Sequence, residues 1–170
     1  MAKVSRVASL DIPLDSRFEA REWRTERIGW ALMILVVVLG ALGLLGGAGP
    51  LNTVQLGSPS DRVWVEYRRV IRHQAPAELK IYATLDQSFI GTTTLHINKS
   101  YADAFMIESA SPTVVQEQVG SSAMSYDFAM PNGGPASIIL RLRPVRFGIR
   151  YATLSVEGAG SQTFWQVILP

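Results

Sequence analysis

Cysteine is absent from the 170 residues, which excludes a disulfide, a thiolate metal site and a cysteine nucleophile. That absence does not decide the compartment, because disulfides are common but not obligatory outside the cytoplasm. Histidine is nearly absent: His73 and His96 are the only two, and neither has a partner at metal-ligand spacing. A serine hydrolase needs a histidine base and an orienting acid behind its nucleophile, and no G-x-S-x-G elbow occurs. The nearest groupings, Gly120-Ser121-Ser122 and Gly160-Ser161, read as turns. Glycine patterns that cradle phosphate or bind dinucleotides are missing as well. Charge of one sign is also in short supply. Residues 1–27 hold six basic and five acidic groups and residues 51–170 hold ten and nine, far from the basic excess of a nucleic-acid binder. Together these absences predict a protein that is not an enzyme, carries no cofactor and has no nucleic-acid partner.

What the chain does have is one long apolar run. Ile28–Gly47, IGWALMILVVVLGALGLLGG, contains no charge over twenty residues. As a helix rising 1.5 Å per residue it would extend about 30 Å, the thickness of a bilayer's hydrocarbon core. The run exceeds the apolar core of a signal peptide, and five acids precede it, so a retained transmembrane span is expected. Arg21, Arg24 and Arg27 stand immediately before the run, whereas the first charge after it is Asp61. By the positive-inside rule the N-terminus is then cytoplasmic and the residues after the span lie outside. Trp23 and Trp30, seven residues apart, suit the inner interface as aromatic anchors beside those arginines. Gly40, Gly43 and Gly47 form a small-residue stripe at spacings of three and four, the kind that lets another helix pack closely in lipid. The other reading of those glycines is a loosened helix end before Pro50.

On either side of the run the pattern changes. Residues 1–15 show no sustained period and read as a flexible tail. Ser16-Arg17-Phe18-Glu19 fits a capping box, so a helix is expected to start there and run unbroken into the span, covering 16–50 in all. At 100° per residue, Arg17, Arg21, Arg24 and Arg27 fall on one side of it and Asp15, Glu19, Glu22 and Glu26 nearly opposite. A helix sorted in this way suits anionic headgroups or a charged partner. Residues 51–60 read as a linker, after which apolar residues alternate with period two from Val63 to Arg72. Further strands are predicted over 78–84, 92–98, 105–109, 114–119, 125–130, 137–143, 150–157 and 163–169. Gly91, Pro112, Gly120, Asn132-Gly133-Gly134-Pro135, Gly148 and Gly158 punctuate them. Seven to nine short strands without a convincing helix predict an antiparallel β-sandwich over 61–170.

Arginine is the one polar concentration in this domain. Arg68 and Arg72 are four apart on the first strand and Arg141 and Arg143 two apart on a late one, so each pair is expected on one strand face. If those strands are neighbours, a basic patch results that would meet headgroups or an acidic partner; the bland alternative is a solvated sheet face. The only soft metal donors are His73, His96, Met106, Met124 and Met130, and the methionines are expected to fill the core.

Gly148-Ile149-Arg150-Tyr151-Ala152-Thr153-Leu154-Ser155-Val156 resembles the glycine-x-x-tyrosine strand of bacterial immunoglobulin-like domains. The resemblance implies that the Tyr151 hydroxyl closes a corner between strands; Thr153 stands where that family often has its second cysteine. The whole outline, with Arg17–Trp30 (RFEAREWRTERIGW), resembles single-span bacterial inner-membrane proteins carrying an extracytoplasmic immunoglobulin-like domain. The resemblance implies place and architecture: one N-terminal transmembrane helix, then an immunoglobulin-like sandwich in the periplasm. The functional expectation is an accessory or assembly subunit whose partners are an integral membrane protein and the lipid bilayer. The alternative is a periplasmic binding module, such as a metal-delivery factor for a respiratory enzyme.

Overall fold

The computed structural model of the chain describes residues 16–85, 91–130 and 134–170, the side chains of 16–22 excepted. The expected tail 1–15 and Asn132-Gly133 of one expected turn lie outside the described residues. The chain forms two compact units, Met1–Val37 and Val38–Pro170.

Helix α1 (Ser16–Ala41) begins at the expected capping box and runs through Gly29 and Gly40 without a break. Along it Arg27 stacks its guanidinium 3.4 Å from the ring centre of Trp23, one turn back. The helix stops earlier than expected, and the cause is local. Gly43 adopts φ +83°, which an L side chain disfavours. Leu44 N–H donates to Leu39 O at 3.0 Å and Gly43 N–H to Gly40 O at 3.0 Å, the two bonds of a Schellman cap with glycine at its left-handed position. A second left-handed glycine, Gly46 at φ +86°, keeps the chain from resuming the helix.

The apolar part of the helix is therefore Ile28–Ala41, about 21 Å long at the helical rise. Among the described residues no helix is long and apolar enough to cross a membrane. This corrects the expectation of one helix over the whole of 28–47: the glycines that suggested close packing release the backbone instead.

Eleven strands follow among the described residues: β1 (Thr53–Leu56), β2 (Val63–Arg68), β3 (Val70–Arg72), β4 (Ala77–Leu85), β5 (Gly91–Asn98), β6 (Phe105–Ser111), β7 (Val114–Val119), β8 (Ala123–Met130), β9 (Gly134–Pro144), β10 (Gly148–Val156) and β11 (Gly160–Leu169). A single turn, α2 (Lys99–Ala102), joins β5 to β6. The strands form two sheets, β1-β2-β4-β9-β6 and β3-β11-β10-β5-β8-β7. Alternation puts one face of each strand inward, so that β4 places Leu79, Ile81 and Ala83 in the core while Lys80 and Tyr82 face out. Val65, Ile81, Leu95, Phe128, Leu140 and Leu154 are fully enclosed between the sheets. The chain is mainly β, and its sheets are antiparallel apart from one pair.

That exception comes from the stretch 63–72, expected as one strand. It breaks at Arg69: β2 pairs with β1 and β4 in the first sheet, and β3 crosses to the second and runs parallel to β11. A strand that changes sheets in this way closes the corner of a sandwich. Two further differences follow. The expected linker 51–60 contains β1, which pairs with β2 from Thr53↔Arg68 to Leu56↔Val65. Tyr151 is 66% exposed, facing out of β10 beside Trp165, so the implied tyrosine corner is absent. Tyr151→Phe is accordingly expected to leave the denaturation midpoint unchanged, checked by fluorescence-monitored unfolding.

The most deeply buried tyrosine among the described residues is Tyr101 on α2, 1% exposed, whose hydroxyl donates to Gln166 Oε1. Gln166, itself buried, donates its Nε2 proton to Arg68 O at 2.7 Å. One short helix, one strand of the second sheet and the last residue of β2 are thus tied together beside the crossing at Arg69.

Candidate functional site

The built feature of the domain is the end where the chain comes in, the proximal end. Residues 42–52 fold back on themselves and onto β3. Asn52 is fully buried and holds this arrangement: its Nδ2 donates to Gly47 O at 2.7 Å and to Val70 O at 2.6 Å, while its Oδ1 accepts from Val70 N–H at 2.6 Å. Its own carbonyl accepts from Arg69 N–H at 2.8 Å. β3 has β11 on one side only, so its other edge needs partners, and the side chain of Asn52 acts as a short surrogate strand there. Arg72 adds a second tie, Nε donating to Leu45 O at 2.9 Å.

The glycine stripe belongs to this turn and not to a helix face. Gly40 alone of the three is inside α1. A Cβ on Gly43 would stand 2.8 Å from the backbone of Gly49, so a side chain there forces the turn apart. Gly47 has open space around its Cα and supplies only its carbonyl. The expected contact surface Gly40, Gly43, Gly47 is corrected accordingly.

The four arginines of the expected basic patch are placed on both sheets. Arg72 ends β3 in the second sheet, while Arg68, Arg141 and Arg143 lie in the first, so Arg68 and Arg72 do not share a strand face. In the first sheet each late arginine is matched by an acid. Arg141 Nη2 meets Glu78 Oε1 at 3.1 Å across the β4–β9 register. Arg143 pairs with Glu108 and donates through Nη1 to Gln74 O at 3.0 Å. Glu108 reaches Arg143 because β6 bulges between Ile107 and Ser109, which re-aims the intervening side chain. Arg68 and Arg141 line one groove with Pro76, Glu78 and Glu108, so the surface is charge-balanced. The expected patch is corrected: Arg141 and Arg143 are in cross-strand ion pairs, which local spacing could not show because the acids lie far away in sequence, and Arg72 stands in the other sheet.

The anchor residues of the helix sort differently. Trp23 and Trp30 are both more than half exposed, with Arg24 and Arg27 exposed beside them; the side chain of Arg21 lies outside the described residues. From Ile28 to Val38 every large apolar side chain of α1 is also exposed. Among the described residues nothing covers this run.

The metal donors do not converge. His96 bonds Ser125 Oγ at 2.8 Å on the outer face of the second sheet, and His73 lies beyond the end of β3. Met130 is buried as expected, but Met106 is 57% exposed on the edge strand β6. Among the described residues no group of three or more His, Cys, Asp or Glu is placed to hold a metal ion.

Two outer surfaces carry aromatic groups. Trp64 and Tyr82 stack at 3.7 Å and 10° as a cross-strand pair of β2 and β4, beside a groove of about 300 Å³ edged by Pro59 and Pro135. On the second sheet, Arg69 lies 4.8 Å over the ring of Trp165, next to exposed Tyr151 and Ile149. A further cavity of about 600 Å³ opens at the proximal end between His73, Arg146, Arg150 and the β9–β10 loop.

No family model and no curated protein matches the chain. Solved β-sandwich domains do. A cohesin module from the family 33 glycoside hydrolase of Clostridium perfringens is 8% identical over 69% of this chain and 98% of its own, with a TM-score of 0.45. A CARDB domain from Pyrococcus furiosus, solved with di-metal ions, is 11% identical over 69% and 89%, with a TM-score of 0.39. The cupredoxin domain of amoB from Nitrosocaldus yellowstonii is 13% identical over 64% and 57%, with a TM-score of 0.30. The two-sheet architecture rests on this chain's own strand pairing, and the likenesses say nothing of its ligand or activity.

Proposed function

We propose that this chain is a membrane-anchored accessory subunit: α1 is held in the bacterial inner membrane and the sandwich stands on the periplasmic side as an interaction module. The observation that carries the reading is the uncovered apolar surface of α1 from Ile28 to Val38, in a segment free of charge from 28 to 47 and preceded by Arg21, Arg24 and Arg27. A helix shorter than the bilayer is accommodated by local thinning and by arginines that reach for the headgroups. The proximal turn completes the crossing. Its backbone groups are largely bonded within the cap and to Asn52, as burial near lipid requires. A subunit of this design acts by position, placing an ion-paired, aromatic-edged β surface over a membrane neighbour.

The test uses the full chain. Membranes washed with alkaline carbonate are expected to retain it, and extraction in mild detergent is expected to bring down an integral membrane protein in stoichiometric amount. Gly40→Ile, in the one glycine of the stripe that lies within the helix, is expected to lower recovery of that partner without reducing the chain in the membrane. Release by carbonate would end the anchor reading, and a monodisperse monomer in detergent would end the subunit reading.

A further inference from the structure

The β9–β10 connection, Val145-Arg146-Phe147, sets one exposed arginine between two exposed apolar side chains. Val145 is 41% and Phe147 68% exposed, and Ile149 continues the apolar strip at 59%. Behind the tip lies the cavity of about 600 Å³, lined by His73, Val145, Arg146, Phe147, Arg150 and Pro170. No acidic side chain among the described residues lines it. Two of its lining residues hold a side-chain atom, His73 Nδ1 and Arg150 Nε, that is shielded from solvent and has no hydrogen-bond partner. Arg150 holds the loop through Nη2 donating to Phe147 O at 3.1 Å. An anion at this cavity would meet the positive charge of Arg146 and Arg150.

The position of the loop says what sort of anion. Gly148 pairs with Ile168, Leu169 pairs with Arg72, and Arg72 bonds Leu45 O in the turn that leaves α1. His73 N–H donates to Leu169 O at 2.7 Å on the same side. The loop and the incoming chain thus share the proximal end, two strands apart.

We infer that the β9–β10 loop with Arg150 and His73 is a bilayer-contact element, setting Val145 and Phe147 among the headgroups of anionic lipid and offering its cations to the lipid phosphates. The inference rests on the membrane-anchor reading and extends it. The chain enters the domain at this end, and the membrane-anchor reading makes lipid headgroups the occupant. Aromatic side chains prefer that layer, and arginines are drawn to it by its negative potential. A soluble acidic partner would satisfy the arginines but would leave the apolar tip wet.

The absence of cysteine makes a direct test available. Full-length Phe147→Cys and Glu157→Cys, each labelled with an environment-sensitive NBD probe, are bound to vesicles of phosphatidylcholine containing phosphatidylglycerol. Glu157 follows the other end of β10 and is exposed, so it serves as the aqueous reference. The expected result is a several-fold rise and a blue shift of NBD emission at 147, quenched by bromine-labelled lipid, with no change at 157. Omitting phosphatidylglycerol, or adding Arg146→Glu to the labelled chain, is expected to lose most of that rise. Inorganic phosphate without vesicles is expected to leave it absent; a rise with phosphate alone would show an anion site unrelated to the membrane and overturn the proposal. A chain that fails to float with the vesicles removes the anchor and the loop contact together. If it floats while 147 stays as aqueous as 157, the loop contact alone is overturned.

Discussion

Asn52→Ala is expected to destabilise the domain by about 4 kcal/mol, read as a fall in the denaturant midpoint at unchanged slope. The substitution deletes three hydrogen bonds at once and leaves Val70 N–H, Val70 O and Gly47 O in a site the side chain had sealed. Each unsatisfied buried group costs about 1–3 kcal/mol, and some water entering the vacated space recovers part of that. Asn52→Asp separates hydrogen bonding from volume. It keeps the acceptor for Val70 N–H but turns a carboxylate oxygen toward two carbonyl oxygens, so it is expected to be no more stable than the alanine variant. A loss below about 1 kcal/mol for either variant would show that the turn is not anchored through this residue.

The second large effect concerns the link between Tyr101, Gln166 and Arg68. Gln166→Leu fits the apolar surroundings in volume but strands the Tyr101 hydroxyl and the Arg68 carbonyl, at a cost of about 3 kcal/mol. The same link gives the domain an alkaline limit. Burial, with a smaller contribution from Tyr67, pushes the Tyr101 hydroxyl far above its ordinary value of 10.0. Burial and neighbouring Glu117 push Tyr126 up to about 12. Both groups stay protonated in the fold at a pH where the unfolded chain has released those protons. The stability tied to them is therefore full below pH 10 and lost as the pH rises beyond it, at about 1.4 kcal/mol per pH unit for Tyr101. Tyr101→Phe lowers stability at neutral pH by about 1 kcal/mol and makes the alkaline decline shallower, which equilibrium unfolding at a series of pH values will show. An unchanged slope would mean that Tyr101 ionises freely and is not enclosed.

These two sites also show where sequence reading reaches its limit. Strands from β4 onward follow the period-two alternation and lie within a few residues of their expected bounds, because each buries one face against the opposite sheet and the pattern records that burial. Asn52 gives no such signal. It is one asparagine in a glycine- and proline-containing stretch, and its three bonds reach partners 5 and 18 residues away. Gln166 is similar: a polar residue at an inward position of β11, explained only when Tyr101 and Arg68 arrive from 65 and 98 residues earlier. An inward glutamine among apolar neighbours was the one available hint, since buried polar groups are bonded.

From the sequence alone came the charge-free segment, the arginines before it and the strand content. All of these are carried by residue type and local period. The tertiary structure decided the rest. Helix α1 stops at Ala41 because Gly43 turns left-handed, and that turn is then fastened by a residue outside it. The run 63–72 divides at Arg69 because its two halves find hydrogen-bond partners in different sheets. Arg141 and Arg143 form ion pairs because topology laid β9 between β4 and β6, bringing Glu78 and Glu108 from 63 and 35 residues away. Periodicity tells which face of a strand is buried; it holds no record of which strand lies beside it.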